Sequence, residues 1–216
     1  MRYDNLIWDF DGTLFDTYPP MCRDLQAAME QLGVSFTLEE LLERFTSSRE
    51  EVLAYCGERA GRTAEEIDTV YRAWVTARGQ PRAQPFPHVR EVLERFQAAG
   101  GRNFVFTHRS GSVHDYLAQA DLTKYFTEVT SAGTVFARKP APAGNRYLME
   151  KYGLDPARTL AVGDRELDVL AGKNAGANAC LFAPDGTAAE TAADYQIQDF
   201  RQLYKIVGLP ETANEE

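Results

Sequence analysis

The sequence predicts an α/β fold, a doubly wound parallel sheet of the Rossmann-like kind, interrupted near its start by an all-helical insert. Three observations lead there. Beyond Pro87, short apolar runs alternate with segments of helical periodicity, the rhythm of a parallel sheet covered by helices on both faces. From about residue 17 to residue 80 the periodicity is helical throughout, with no strand candidate. Three apolar runs end in the polar residues Asp9, Thr107 and Asp164, and open α/β sheets bind their ligands outside the carboxyl ends of strands.

The first strand is the run Leu6-Ile7-Trp8, which breaks abruptly into Asp9-Phe10-Asp11-Gly12-Thr13. In the insert, Met21, Leu25, Ala28 and Leu32 share one helical face, closed by Gly33. Leu38, Leu41, Leu42 and Phe45 form a second stripe. Ser48 to Glu51 reads as a capping box opening a third helix, and Thr63 to Glu66 repeats that signal before Ile67, Val70, Tyr71 and Trp74. Pro81, Pro85 and Pro87 mark a return linker.

Val89, Val92, Leu93 and Phe96 then predict a helix stopped by Gly100-Gly101, and Phe104-Val105-Phe106 a strand ending at Thr107. A helix through Val113, Leu117 and Ala120 precedes a strand over residues 126–129. Lys139-Pro140 leads into a helix carrying Leu148 and Tyr152, ended by Gly153. Leu160-Ala161-Val162 is a strand ending in Gly163-Asp164. The next helix is expected to present Leu167, Leu170, Ala171 and Asn174 on one side, before a strand over residues 179–182. Phe200, Leu203, Tyr204 and Val207 outline the last helix. The expected division is a core of residues 1–16 and 84–208, a helical domain of 17–83 and a flexible tail of 209–216.

The chain has 216 residues, 44% hydrophobic and 25% charged, the balance of an ordinary globular protein. A net charge of −9 argues against nucleic acid or an anionic membrane as partner. Cys22, Cys56 and Cys180 are odd in number and widely spaced, so they are read as small buried residues rather than disulfides or zinc ligands. The N-terminal residues lack the apolar core of a signal peptide, and no apolar run reaches membrane-spanning length. A reducing cytoplasm is the expected setting, and a monomer the simplest assembly.

Asp9 and Asp11 stand two residues apart on an extended segment and can face one pocket. Gly12 permits a sharp turn and close approach of its backbone. Two carboxylates this close repel each other unless a cation or a shared proton intervenes.

The string Asp9-Phe10-Asp11-Gly12-Thr13 resembles the first motif of the haloacid dehalogenase-like hydrolase superfamily. Thr107 stands where the second motif has a Ser or Thr; a turn-capping role is its alternative. Lys139, before Pro140, matches the third motif, with Arg138 as the neighbouring candidate. Gly163-Asp164-Arg165-Glu166-Leu167-Asp168 matches the fourth, although Asp168 also suits a helix N-terminus.

The resemblance implies that Asp9 is a nucleophile forming an aspartyl-phosphate and Asp11 the general acid/base. It implies that Thr107 and Lys139 hold the phosphate. Asp9, the Asp11 carbonyl and Asp164 are then Mg²⁺ ligands, with Asp168 acting directly or through water. Dehalogenases of this fold lack the second aspartate, so Asp11 favours phosphoryl transfer. The helical insert resembles the cap of the phosphoglycolate phosphatase and β-phosphoglucomutase branch. In that branch Arg49 falls where a basic cap residue can meet substrate; an exposed first-turn arginine is the other reading. His108 and Arg109, flanking Thr107, and Gly12 are further substrate-contact candidates, whereas His88 and His114 read as surface or helix-end residues. The expected activity is Mg²⁺-dependent hydrolysis of a small phosphorylated metabolite beneath a closing cap. A phosphomutase, or a phospho-ligand-binding protein without turnover, are the alternatives.

Overall fold

A computed structural model describes residues 1–79, 82–132, 136–186 and 190–210, so Pro81 and residues 211–216 of the expected linker and tail lie outside the described residues. By contacts the chain divides into two units, one of residues 1–15 with 85–216 and one of residues 16–84.

The first unit is built on a six-stranded parallel sheet. Its strands are β1 (Asn5–Trp8), β2 (Arg102–Phe106), β3 (Phe126–Thr130), β4 (Thr159–Gly163), β5 (Asn178–Phe182) and β6 (Tyr195–Ile197). Their order is β3-β2-β1-β4-β5-β6. All four residues of β1 are buried, as expected of a central strand covered on both faces. Ile7 lies level with Phe104 and Ala161, and Trp8 with Val105 and Val162, so the carboxyl ends of β2, β1 and β4 come out side by side.

Helices cover the two faces, which alternate along each strand. Ile7, Phe104 and Phe106 pack under Leu148 and Met149 of the helix Ala143–Tyr152. On that same face sits the helix Glu166–Asn174, whose Gly172 comes so close that an added Cβ would stand 2.5 Å from the Ala161 side chain. Trp8 points the other way, its ring 5.7 Å from that of Phe200, which stacks on Phe182 at 4.1 Å. The Trp8 indole N–H donates to Asn103 Oδ1 at 3.0 Å, satisfying a polar atom that burial would otherwise strand. The helix Val89–Ala98 joins that face through Glu91, which accepts from the Tyr204 hydroxyl of the terminal helix Leu203–Val207. Leu209 N–H donates to the Tyr204 carbonyl and Arg95 to the Pro210 carbonyl, so the first two residues of the expected tail are tied to the core.

The second unit comprises the helices Tyr18–Glu30, Leu38–Ser47, Arg49–Ala60 and Ala64–Arg78. Met21, Leu25, Leu41, Phe45, Val52, Ile67 and Tyr71 close on one another as its own core. Thr63 and Glu66 form a complete capping box. The box expected at Ser48 is half formed: Ser48 Oγ accepts from Glu51 N–H at 2.9 Å, without the reciprocal bond. A full box stands instead at Thr37 and Glu40, at the start of the preceding helix.

The chain leaves and re-enters the first unit through paired segments. Phe15 bridges antiparallel to Pro85, and Phe86 N–H donates to the Leu14 carbonyl at 3.0 Å. Just inside the helical unit, Asp16 N–H donates to the Gln84 carbonyl, also at 3.0 Å. All three cysteines are buried free thiols, and no helix among the described residues is long and apolar enough to cross a membrane.

Candidate active site

The site is assembled where β1, β2 and β4 end. Asp9 extends β1 by one residue, its N–H donating to the Val162 carbonyl at 2.8 Å, so sheet pairing fixes the backbone that presents its carboxylate. The chain then reverses in a tight loop. Gly12, at φ 78°, donates to the Phe15 carbonyl, and a side chain there would be strained. Thr13, fully buried, donates its hydroxyl to Asp164 Oδ1 at 3.0 Å. The end of β1 is thereby tied to the end of β4.

Lys139 enters from the loop before the Ala143–Tyr152 helix. Its Nζ lies 2.5 Å from Asp9 Oδ1 and 2.8 Å from Asp168 Oδ1, with all three side chains at most 6% exposed. Burial works to lower the Lys139 pKa, but the charges of Asp168 and Asp9, and the bonds to both, outweigh it and raise it. Asp9 is pushed well above the usual carboxylate range by burial; Lys139 pulls it down, and the charges of Asp168 and Asp164 push it up again.

Asp168 is oriented from two sides. Oδ1 meets Lys139, and Oδ2 accepts from Arg165 N–H at 3.2 Å at the start of its helix. Gly163 makes this possible, since a Cβ there would stand 2.2 Å from Asp168 Cβ. Oxygens of Asp9, Asp164 and Asp168 all lie within 4.8 Å of one another, and Asp9 Oδ2 is buried without a hydrogen-bond partner among the described residues. Three carboxylates against one ammonium, with an unsatisfied buried oxygen facing inward, suit a hard cation with oxygen ligands.

The turn after β2 contributes three consecutive side chains. Thr107 Oγ1 accepts from Arg109 N–H at 3.0 Å, a turn role, and among the described residues its own proton is given to no acceptor. His108 Nε2 accepts from Lys139 N–H at 3.0 Å. Burial, followed by the nearby charge of Lys139 and then Arg138, lowers the His108 pKa to about 4. The imidazole is thus neutral near pH 7, an acceptor that fixes the lysine loop. Arg109 Nη1 is 3.4 Å from Asp11 Oδ1.

Of the residues singled out in the sequence, Asp9, Asp11, Gly12, Thr107, His108, Arg109, Lys139, Asp164 and Asp168 all belong to the first unit. Arg49 belongs to the helical unit, where it is ion-paired with Asp68 and lies over the Tyr71 ring. Arg138 is exposed, which leaves Lys139 as the buried cation of the pair. Sequence reasoning gave Thr13 no role of its own. The signal was present as the last residue of the opening motif, but its partner lies 151 residues away.

Residues 6–182 match the family model described as haloacid dehalogenase-like hydrolase, and the chain belongs to that family. Within it, the enzyme is a phosphatase. A phosphoglycolate phosphatase from Vibrio parahaemolyticus is 29% identical over 79% of this chain and 79% of its own. The pyrophosphatase PpaX of Oceanobacillus iheyensis is 26% identical, covering 96% of this chain and 98% of its own. Among solved structures, a HAD-superfamily hydrolase of subfamily IA from Geobacter sulfurreducens superposes with a TM-score of 0.74 at 27% identity, over 96% of this chain and 97% of that one.

Proposed function

We propose that this phosphatase hydrolyses small phosphorylated metabolites, phosphoglycolate- or sugar-phosphate-like, through an aspartyl-phosphate on Asp9 and with Mg²⁺ as cofactor. The observation that carries the reading is the buried contact of Lys139 with Asp9 at 2.5 Å, beside an Asp9 Oδ2 that accepts no hydrogen bond from any described residue. A nucleophilic carboxylate needs one oxygen held and one available, with positive charge at hand to offset a dianionic substrate. The relatives named for phosphoglycolate and pyrophosphate support a small, strongly anionic substrate.

Uncatalysed phosphate-ester hydrolysis is slow enough that such an enzyme must supply on the order of 20 kcal/mol of transition-state stabilisation. In the first step an Asp9 oxygen forms a bond to phosphorus while the bond from phosphorus to the leaving oxygen breaks, and Asp11 gives that oxygen a proton. In the second, water attacks the same phosphorus and Asp11 takes the water's proton. Inorganic phosphate leaves and the Asp9 carboxylate is restored. Lys139 neutralises Asp9 and the phosphoryl oxygens without standing in the line of attack. The Thr107 hydroxyl, already accepting from Arg109, donates its proton to a phosphate oxygen.

Asp9, the Asp11 carbonyl and Asp164 would hold Mg²⁺, with Asp164 aimed by Thr13. Asp168, engaged by Lys139 and Arg165, would act through water. When bound, the ion supplies positive charge that screens the carboxylates from one another and from the phosphoryl oxygens.

Turnover of p-nitrophenyl phosphate with Mg²⁺, its loss in EDTA and its absence in Asp9→Asn would be the expected result. Retained turnover in Asp9→Asn overturns covalent catalysis by Asp9. A panel of phosphoglycolate, sugar phosphates and pyrophosphate identifies the substrate. Glucose 1-phosphate belongs in it, because its conversion to glucose 6-phosphate would reveal a mutase instead.

A further inference from the structure

We propose that Arg109 is a positioning residue for Asp11, holding the acid/base carboxylate toward the leaving oxygen rather than binding the substrate phosphate itself. The proposal rests on the phosphatase reading above.

The geometry is that of a fixed strut. The Arg109 side chain is 8% exposed, although arginine is ordinarily a surface residue. Its guanidinium lies 4.8 Å from the Tyr116 ring and 5.5 Å from the Phe10 ring. Those rings belong to an aromatic cluster: Phe10 stacks on Phe15 at 4.8 Å, and Tyr116 meets both edge-on at 5.7 and 5.6 Å. A planar cation held against two aromatic faces has little freedom left to lose. Its backbone is equally set, since Arg109 N–H donates to Thr107 Oγ1 and its carbonyl accepts from Ala132 N–H at 2.9 Å. From that frame Nη1 stands 3.4 Å from Asp11 Oδ1, an ion-pair contact made without a hydrogen bond to that oxygen.

Asp11 is the less enclosed of the two acids. It stands in the loop that leaves β1, and its side chain is 20% exposed, against 6% for Asp9. A general acid acts only when it stands within hydrogen-bond reach of the atom it protonates. Phe10 makes the device local, because the residue between nucleophile and acid is one of the rings that holds the arginine.

The test exploits leaving-group chemistry. A p-nitrophenolate leaves with little help from an acid; a phenolate, which is far more basic, depends on it. The readout is the ratio of kcat/KM for p-nitrophenyl phosphate to that for phenyl phosphate, which reports the first phosphoryl transfer and is unaffected by the folded fraction of a preparation. In Arg109→Gln the ratio is expected to rise about tenfold over wild type, a part of the ~10²–10⁴ that general acid catalysis supplies. Arg109→Lys should recover part of the change. Equal losses for both esters, carried by KM, would make Arg109 a substrate contact and overturn the proposal; so would an unchanged ratio with unchanged rates. A wild-type enzyme that turned over neither ester would remove the phosphatase reading and this proposal together, whereas normal wild-type turnover with an unaltered ratio removes only the proposal.

Discussion

The Lys139 ammonium sits 2.5 Å from Asp9 Oδ1, and both side chains are almost fully withdrawn from solvent. Removing one partner of a buried ion pair leaves the other uncompensated, typically at a cost of about 3–5 kcal/mol. Lys139→Met should therefore lower stability in urea by about 3 kcal/mol and reduce kcat on the order of 10³-fold. A variant of wild-type stability would show that the pair contributes nothing to folding.

Asp9→Asn keeps the shape of the side chain and removes one of three clustered carboxylates. Turnover should disappear while the far-ultraviolet circular dichroism spectrum stays that of wild type. Asp11→Asn should instead slow both the formation and the breakdown of the phosphoenzyme, measured in a rapid-quench experiment. Wild-type rates in either half-reaction would take Asp11 out of that half.

Thr13→Val deletes the hydroxyl that donates to Asp164 Oδ1 at 3.0 Å. Loss of an outer hydrogen bond that orients a metal ligand commonly weakens metal binding by about 10–100-fold. The Mg²⁺ concentration for half-maximal activity should rise by that order, with activity recovering at high Mg²⁺. A shift of less than twofold would mean that Asp164 needs no such guide.

Gly163→Ala places a methyl group 2.2 Å from Asp168 Cβ, a separation that forces one of them to move. Overpacking of this kind costs about 1–3 kcal/mol. Because Asp168 aims Lys139, activity should fall along with the melting temperature. An active variant of wild-type stability would show the strand end to be more yielding than its contacts indicate.

His108 gives the stability a pH dependence whose sign follows from its lowered pKa. The unfolded chain takes up this proton near pH 6.5, the folded chain only near pH 4. Stability from this group is therefore complete above about pH 6.5 and is lost progressively down to about pH 4. His108→Gln should flatten melting temperature against pH across that window, and an unchanged slope would assign it to other groups.

Much of this was legible in the sequence because the deciding signals are local. β1, β2, β4 and β5 are apolar runs with sharp ends, and Thr63 caps its helix as its spacing announces. Asp9 and Asp164 were legible because each follows a strand directly, Lys139 because it precedes a proline, and Asp11 and Asp168 by their spacing from those two acids. What was hidden depends on packing or on distant partners. Strand β6 is three residues long, too short for any periodicity to show. The helix Glu166–Asn174 was expected to present Leu167, Leu170, Ala171 and Asn174 on one side; of these Ala171 is buried, together with Asp168, Val169 and Gly172. Close approach through Gly172 turned the small-residue face inward, against what hydrophobicity alone suggests. Likewise, Thr13 with Asp164 and Arg109 with Asp11 are pairs that only the folded sheet brings together.

The chain departs for the helical unit and comes home along adjoining rungs, Phe15 beside Pro85 and Leu14 bonded to Phe86. The insertion is accordingly spliced in at a single point of the sheet domain, like a branch grafted at one node. Its length and contents are free to change over evolutionary time without disturbing the spacing of the acids and lysine, none of which it carries.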